Sequence, residues 1–297
     1  MVLKYLQVIS IWLGGILTIP FAIVCLYNQW YLFPSILLFY YGYTSIYPYS
    51  KEENYIDNYR LFKSGYYKEN NLIFEEQVNE SSPILFSIIP HGILTIGALN
   101  FIFAHEVDKY NITFLITDIL FKVPIAKDVF NRLGFGSVKK ENFIKIMEKG
   151  KNIAFIPGGF EEATRYEYNK YKIYINNRKG FIKYVLKFGY NINPVFVFGE
   201  EKTYKTLFVS FCQWIGSFTN KYNIPSVIFY GKWFTPLPLN DFELNIVVGK
   251  QISFPKINDP SLEEIDKYHN LYKTEVIELF KRNVSKYGTK DSELILN

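Results

Sequence analysis

The sequence predicts an α/β domain, a largely buried central sheet flanked by helices, preceded by an N-terminal membrane helical hairpin. Three observations carry this. Apolar runs of strand length alternate with segments of helical spacing. Two of those runs end at Pro or Gly and deliver polar groups, residues 84–89 into Pro90-His91-Gly92 and residues 153–156 into Pro157-Gly158-Gly159-Phe160-Glu161-Glu162. Finally, no charged residue lies between Lys4 and Lys51, a gap of 46 positions.

That gap is more than twice the ~20 residues one membrane-spanning helix needs. Residues 5–27 and 30–49 each suffice, with Asn28-Gln29 as a polar turn. The expectation is a hairpin over residues 1–50 with Lys4 and Lys51 on one face. A cleaved secretory signal fits less well, because the stretch is too long, has no basic region beyond Lys4 and shows no small-residue cleavage site. Pro20 and Pro34 break or kink helices, which leaves a re-entrant hairpin open beside a spanning one. Residues 51–83 read as a polar, Tyr-rich connector and residues 84–297 as the folded domain.

Within that domain, residues 84–89, 112–117, 153–156, 194–198 and 245–248 read as buried strands. Residues 93–104, 143–149, 180–188 and 262–282 carry helical spacing. The last helix has clear punctuation: Ser261 and Glu264 are spaced as a capping box, and Gly288 lies beyond its end.

Composition narrows the classes of partner. A formal charge of +5 and a pI near 8.8 suit a membrane surface or an anionic ligand and do not call for nucleic acid. Cys25 and Cys212 are the only cysteines, so no disulfide framework organises the fold, in keeping with a reducing compartment. Three scattered histidines and two separated cysteines form no ligand cluster, and no metal is expected. The 25 Tyr and 27 Phe carry no functional weight of their own.

His91 stands between a strand end and a helix expected to begin near Gly92. A helix N-terminus disfavours imidazolium, which biases such a ring toward the neutral form that accepts a proton. His105 and His269 lack that setting. On position alone, a structural role for His91 is equally open. Glu161 and Glu162 read either as a site acid with its neighbour or as the favoured acids of a first helical turn. Gly92, Gly158 and Gly159 suit an oxyanion or phosphate cradle of main-chain N–H groups, and a tight turn explains them equally. Between Arg165 and Lys187 stand seven basic residues and one acid, Glu167. Lys179, Lys183 and Lys187 follow at i, i+4 and i+8, by default a solvated stripe.

Taken in order, Pro90-His91-Gly92, Gly158-Gly159 with Glu162, Arg178 through Gly180-Phe181, and Pro194 through Phe198-Gly199-Glu200 resemble the blocks of the type-2 diacylglycerol acyltransferase family. That family includes monoacylglycerol and wax-alcohol acyltransferases, and its blocks read H-P-H-G, G-G-x-x-E, R-x-G-F and P-x-x-x-F-G-E. The resemblance runs from about residue 84 to the C-terminus. It implies a glycerolipid-acyltransferase-like domain over residues 84–297, with acyl-CoA as co-substrate and no permanently bound cofactor. A neutral lipid alcohol, most simply diacylglycerol, would be the acceptor. His91 would be the general base and Glu162 would hold its imidazole, with an oxyanion site at Gly92 or at Gly158-Gly159. Arg178, Lys179 and Lys183 would bind acyl-CoA. It also implies membrane lipids as partners and the endoplasmic reticulum membrane as location, with the domain on the cytosolic side. Homo-oligomerisation is left open.

The chain departs from the family pattern in places. Ile89 replaces the first His of H-P-H-G, where plant members carry Glu. Gly231-Lys232 stands for Gly-Arg of animal members, and Lys139-Lys140 for Ser-Arg. The Asp that many glycerolipid acyltransferases place five residues after the His is Ile96 here. These departures leave monoacylglycerol, wax-alcohol and lysophospholipid acceptors open, along with a non-catalytic lipid-binding membrane protein.

Overall fold

The computed structural model describes residues 2–219, 226–288 and 292–297. Helices α1 (Val2–Tyr27) and α2 (Leu32–Ile46) precede strands β1 (Asn70–Phe74) and β2 (Ile84–Ile89), helix α3 (Ile96–Ile102), strand β3 (Thr113–Ile116), helix α4 (Ala126–Arg132) and strand β4 (Gly136–Ser137). There follow α5 (Lys140–Glu148), β5 (Ile153–Phe155), α6 (Gly159–Thr164), β6 (Tyr171–Ile173), α7 (Gly180–Phe188) and β7 (Asn191–Phe198). The chain ends with β8 (Lys205–Leu207), α8 (Val209–Thr219), β9 (Ile228–Tyr230), β10 (Leu244–Val248), α9 (Leu262–Tyr287) and β11 (Leu294–Leu296).

Seven strands form the central sheet in the order β1-β10-β7-β2-β5-β3-β4. From β7 to β4 all neighbours are parallel; β10 turns antiparallel against β7, and β1 runs parallel to β10. Every residue of β2, β5, β7 and β10 is buried, so these strands are largely apolar on both faces, with Ser87, Asn191, Asn193 and Asn245 as the buried polar exceptions. Alternate side chains divide between two cores. Ile84, Phe86 and Ile88 of β2 pack with α1, α3 and α4, whereas Leu85 and Ile89 pack with α5, α7 and α9. Helix α9 carries the expected capping box: Ser261 Oγ accepts from the Glu264 N–H at 3.2 Å, and the Glu264 carboxylate accepts from the Ser261 N–H at 2.8 Å.

Three expectations change. Residues 51–83 are not only a connector, because β1 lies within them and forms the sheet edge, with Asn70 opposite Leu244 through Phe74 opposite Val248. Helix α3 starts at Ile96 instead of near Gly92, because Gly92 (φ +65°) and Thr95 (φ +51°) both take left-handed backbone. The charge-free segment does form two helices, yet neither is by itself long and apolar enough to cross a membrane. Helix α2 has 15 residues, about 22 Å at 1.5 Å per residue, short of a ~30 Å bilayer core. Helix α1 bends by 47° between its parts Val2–Gly15 and Leu17–Tyr27, which meet the length and apolarity of a span only together.

The first part of α1 belongs to the domain core. Tyr5 is fully buried, stacks on Tyr66 at 4.2 Å and donates its hydroxyl to Asn100 Oδ1 at 3.2 Å. Gly15 lies so close to Val123 and Pro124 that a Cβ would fall 2.5 Å from Val123 Cγ1. Beyond it, Leu17, Phe21, Ile23, Leu26, Leu32, Leu38 and Phe39 are exposed. Lys4 and Lys51, at the two ends of the segment, both reach the domain, at the Arg60 carbonyl and Asn111 Oδ1, each at 3.2 Å.

Candidate active site

Three polar blocks converge because β5, β2 and β7 are adjacent and parallel. Their C-terminal ends deliver Gly158–Glu162, His91 and Glu200 respectively to one edge of the sheet, where open α/β folds bind ligands.

His91 is partly exposed, and its Nδ1 lies 2.9 Å from the carbonyl oxygen of Gly92. A carbonyl only accepts, so Nδ1 carries the proton and Nε2 keeps the lone pair. Burial lowers the pKa of the ring from 6.5, against the smaller upward pull of the Gly92 carbonyl. The ring is therefore a neutral base at pH 7. The helix-terminus argument for neutrality does not apply, since α3 begins five residues later; enclosure by protein does the same work.

Glu162 is buried at 2% exposure on α6. It reaches His91, but not the imidazole: Oε1 accepts the backbone N–H of His91, and Oε2 accepts the Tyr174 N–H at 3.1 Å. The expectation that Glu162 holds the ring is thereby corrected. Nδ1 is already taken by Gly92, and the short link from the strand end brings the His91 main chain nearest to α6. Burial raises the Glu162 pKa to about 7, with the two N–H bonds pulling the other way. Gly158 makes room for this carboxylate, since a Cβ there would fall 1.7 Å from Oε2. Gly159, at φ +57°, opens α6 with no heavy atom near the position of a Cβ.

A second buried acid, Glu200, closes the other side of the His91 turn. Its Oε2 accepts the Gly97 N–H at 2.6 Å. A Cβ on Gly92 would fall 1.8 Å from its Oε1. Glu200 closes the fourth sequence block, which by itself assigns it no role. The signal was present: it is the third polar residue to follow a buried strand end, after His91 and Glu162.

A model of the family described as diacylglycerol acyltransferase matches residues 16–297. The chain belongs to that family of acyltransferases. It is 32% identical over 268 residues to diacylglycerol O-acyltransferase 1 of Saccharomyces cerevisiae, covering 82% of this chain and 62% of that protein. It is 28% identical over 230 residues to diacylglycerol O-acyltransferase 2 of Homo sapiens, covering 71% and 59%. With 2-acylglycerol O-acyltransferase 1 of Mus musculus it shares 26% over 321 residues, covering 99% and 92%. The chain thus spans less than two thirds of the length of the yeast and human relatives. A distant likeness links it to the crystal structure of the 1-acyl-sn-glycerophosphate acyltransferase of Thermotoga maritima, with a TM-score of 0.41, 16% identity and coverage of 71% and 73%.

In this diacylglycerol acyltransferase family member the basic residues singled out from sequence do not act as one stripe. Arg178 turns to α6, where it pairs with Glu161 and lies 5.3 Å from the Tyr174 ring centre. Lys179 turns to α9 and pairs with Asp266 at 2.6 Å. Lys183 is exposed. Of the remaining histidines, His105 is solvent-facing beside Asp108, and His269 is buried in the face of α9.

Proposed function

We propose that this chain is a membrane-bound acyltransferase that moves the acyl group of acyl-CoA onto the hydroxyl of a neutral lipid alcohol, with diacylglycerol as acceptor and triacylglycerol as product. The observation that carries the reading is the fixed tautomer of His91, with Nδ1–H committed to the Gly92 carbonyl and Nε2 left as a base. Nε2 removes the acceptor's proton as its oxygen attacks the thioester carbonyl. The tetrahedral intermediate collapses by breaking the C–S bond, and the imidazolium returns its proton to the departing coenzyme A thiolate. Main-chain N–H groups near Gly92 or Gly158-Gly159 stabilise the oxyanion. Base catalysis contributes about 10²–10⁴-fold, and positioning with oxyanion stabilisation supplies the rest. No covalent acyl-enzyme is required.

The choice of acceptor rests on the yeast and human relatives named for diacylglycerol. Acyl-CoA is the expected donor, with Arg178, Lys179 and Lys183, the basic residues of the R-x-G-F block and the helix it opens, as the cations for its phosphates. Two apolar surfaces support membrane residence. One is the exposed stretch of α1 and α2. The other is α8 with the residue before it, where Phe208, Phe211, Trp214 and Phe218 are exposed within residues 206–219, a run without charge. Cys25 and Cys212 are both buried free thiols, in keeping with a cytosol-facing domain at the endoplasmic reticulum.

The test is acyl transfer by purified protein from labelled acyl-CoA to diacylglycerol, monoacylglycerol, a long-chain alcohol and a lysophospholipid, offered separately. The reading expects triacylglycerol as the main product and at least a ~10²-fold loss in folded His91→Ala. Preference for another acceptor would replace diacylglycerol. No transfer to any of the four would make the chain a lipid-binding scaffold.

A further inference from the structure

We infer that Glu200 is a positioning residue for this acyl transfer, holding the turn from His91 to Gly97 from the side opposite Glu162 so that the base keeps its place at the strand end. The inference rests on the proposed function for its catalytic consequence and on geometry for its structural one.

The turn between β2 and α3 is fixed at both ends by a buried carboxyl group. At its start, Glu162 takes the His91 N–H; at its end, Glu200 takes the Gly97 N–H at 2.6 Å. Glu200 is fully buried and comes from the end of β7, which pairs with β2 up to Phe196 opposite Ile89. It also shapes the turn by occupying space. A Cβ on Gly92 would strike Oε1 at 1.8 Å, and one on Gly97 would lie 2.9 Å from Oε2 and 2.3 Å from Val197 Cγ1. The two glycines therefore let the main chain lie directly on the carboxyl group. Gly92 needs its own left-handed φ of +65° as well, and its carbonyl is the group that sets the His91 tautomer. Glu200 thus supports the very peptide that makes His91 a base.

The protonation state follows from the surroundings. Oε1 is buried, and no donor reaches it among the described residues. An ionised oxygen left in that state is costly, whereas a carboxylic acid is tolerated. Burial, the neighbouring Glu201 and Glu162 also raise the pKa of Glu200, to about 8, against the Gly97 and Ile96 main chain. A neutral side chain of the same shape should therefore replace it. In Glu200→Gln the amide oxygen accepts the Gly97 N–H and the NH₂ takes the place of the acid's hydroxyl.

The experiment compares Glu200→Gln, Glu200→Leu and Glu200→Ala in the full chain, with melting temperature recorded for each. Glu200→Gln should keep kcat within about threefold of wild type. Glu200→Leu, which keeps volume and loses the acceptor for Gly97, should lose about tenfold or more in kcat at little-changed KM for acyl-CoA, as expected when the acceptor is withdrawn from a buried N–H that fixes the turn. Hydrogen exchange of the peptide over residues 90–98 supplies a readout independent of turnover: faster in Glu200→Leu, wild-type-like in Glu200→Gln. A Gln variant as impaired as Leu would overturn the neutral positioning role, and so would Leu with wild-type turnover and exchange. If Glu200→Ala does not fold, the Gln and Leu comparison decides alone. If the wild type transfers no acyl group, the proposed function fails, and the exchange comparison still judges the support of the turn.

Discussion

Glu162 holds His91 by its main chain: the carboxylate accepts the His91 N–H through one oxygen and the Tyr174 N–H through the other. The acid therefore fixes where the strand end stops, while the Gly92 carbonyl fixes which ring nitrogen keeps its lone pair.

Two accepted N–H bonds make Glu162 hard to replace. An amide has one acceptor oxygen, and its NH₂ would face an N–H, leaving a buried donor unpaired at about 1–3 kcal/mol. Glu162→Gln should lower both the melting temperature and kcat, with kcat reduced about tenfold or more. Wild-type stability and turnover in this variant would remove the two-bond role.

The base should titrate low. With the pKa of His91 pushed below 6.5 by burial, kcat/KM for acyl transfer should remain high at neutral pH and fall on the acid side only below pH 6.5. An acid limb centred above pH 7 would mean that another group, or a charged ring, governs the reaction.

The basic residues should separate by what they touch. Lys183→Ala, at an exposed position of α7, should raise KM for acyl-CoA and spare kcat if the ammonium meets coenzyme A phosphates. Arg178→Ala releases Glu161 beside Glu162, so it should lower kcat as well. Steady-state kinetics with acyl-CoA varied at fixed acceptor checks both; an unchanged KM in Lys183→Ala would return that residue to a solvated face.

Stability should fall as the medium turns alkaline. Glu162 and Glu200 are raised from 4.5 to about 7 and about 8, so the folded chain holds more protons than the unfolded one between those values. Their contribution is fully present below pH 4.5 and is lost as pH rises through 7 to 8. Glu200→Gln stays neutral and should melt higher than wild type above about pH 8 while matching it near pH 5. Parallel melting curves across that range would show that Glu200 is already ionised in the fold.

How far the chain could be read in advance varies with its local punctuation. The bounds of β2 and α7 were legible because Pro83 and Pro90 enclose the first, and Gly189, in the left-handed region at φ +71°, ends the second. Strand β1 escaped notice because its edge position leaves all five residues half-buried, with Asn70 and Asn71 breaking any alternation. Helix α3 was expected too early because the left-handed backbone at Gly92 and Thr95 follows from what lies beneath the turn, including the Glu200 carboxyl group. The N-terminal segment was legible as a helical pair and not as to its surroundings. Its apolar, charge-free composition fits lipid and protein interior alike, and Tyr5, Val8 and Ile9 went to the interior.

By itself the sequence determined the α/β class and the order of the polar blocks, since these depend on residue type and short-range spacing, and it was the family resemblance of those blocks that pointed to His91 and Glu162. Only the tertiary structure decided which atom of His91 each partner holds, and that Glu200 supports the same turn. Those relations join residues 71 and 103 positions apart, brought together by the pairing of β5, β2 and β7. Hydrogen bonds fail over a few tenths of an ångström, so packing around the strand ends, and no pattern along the chain, settles them.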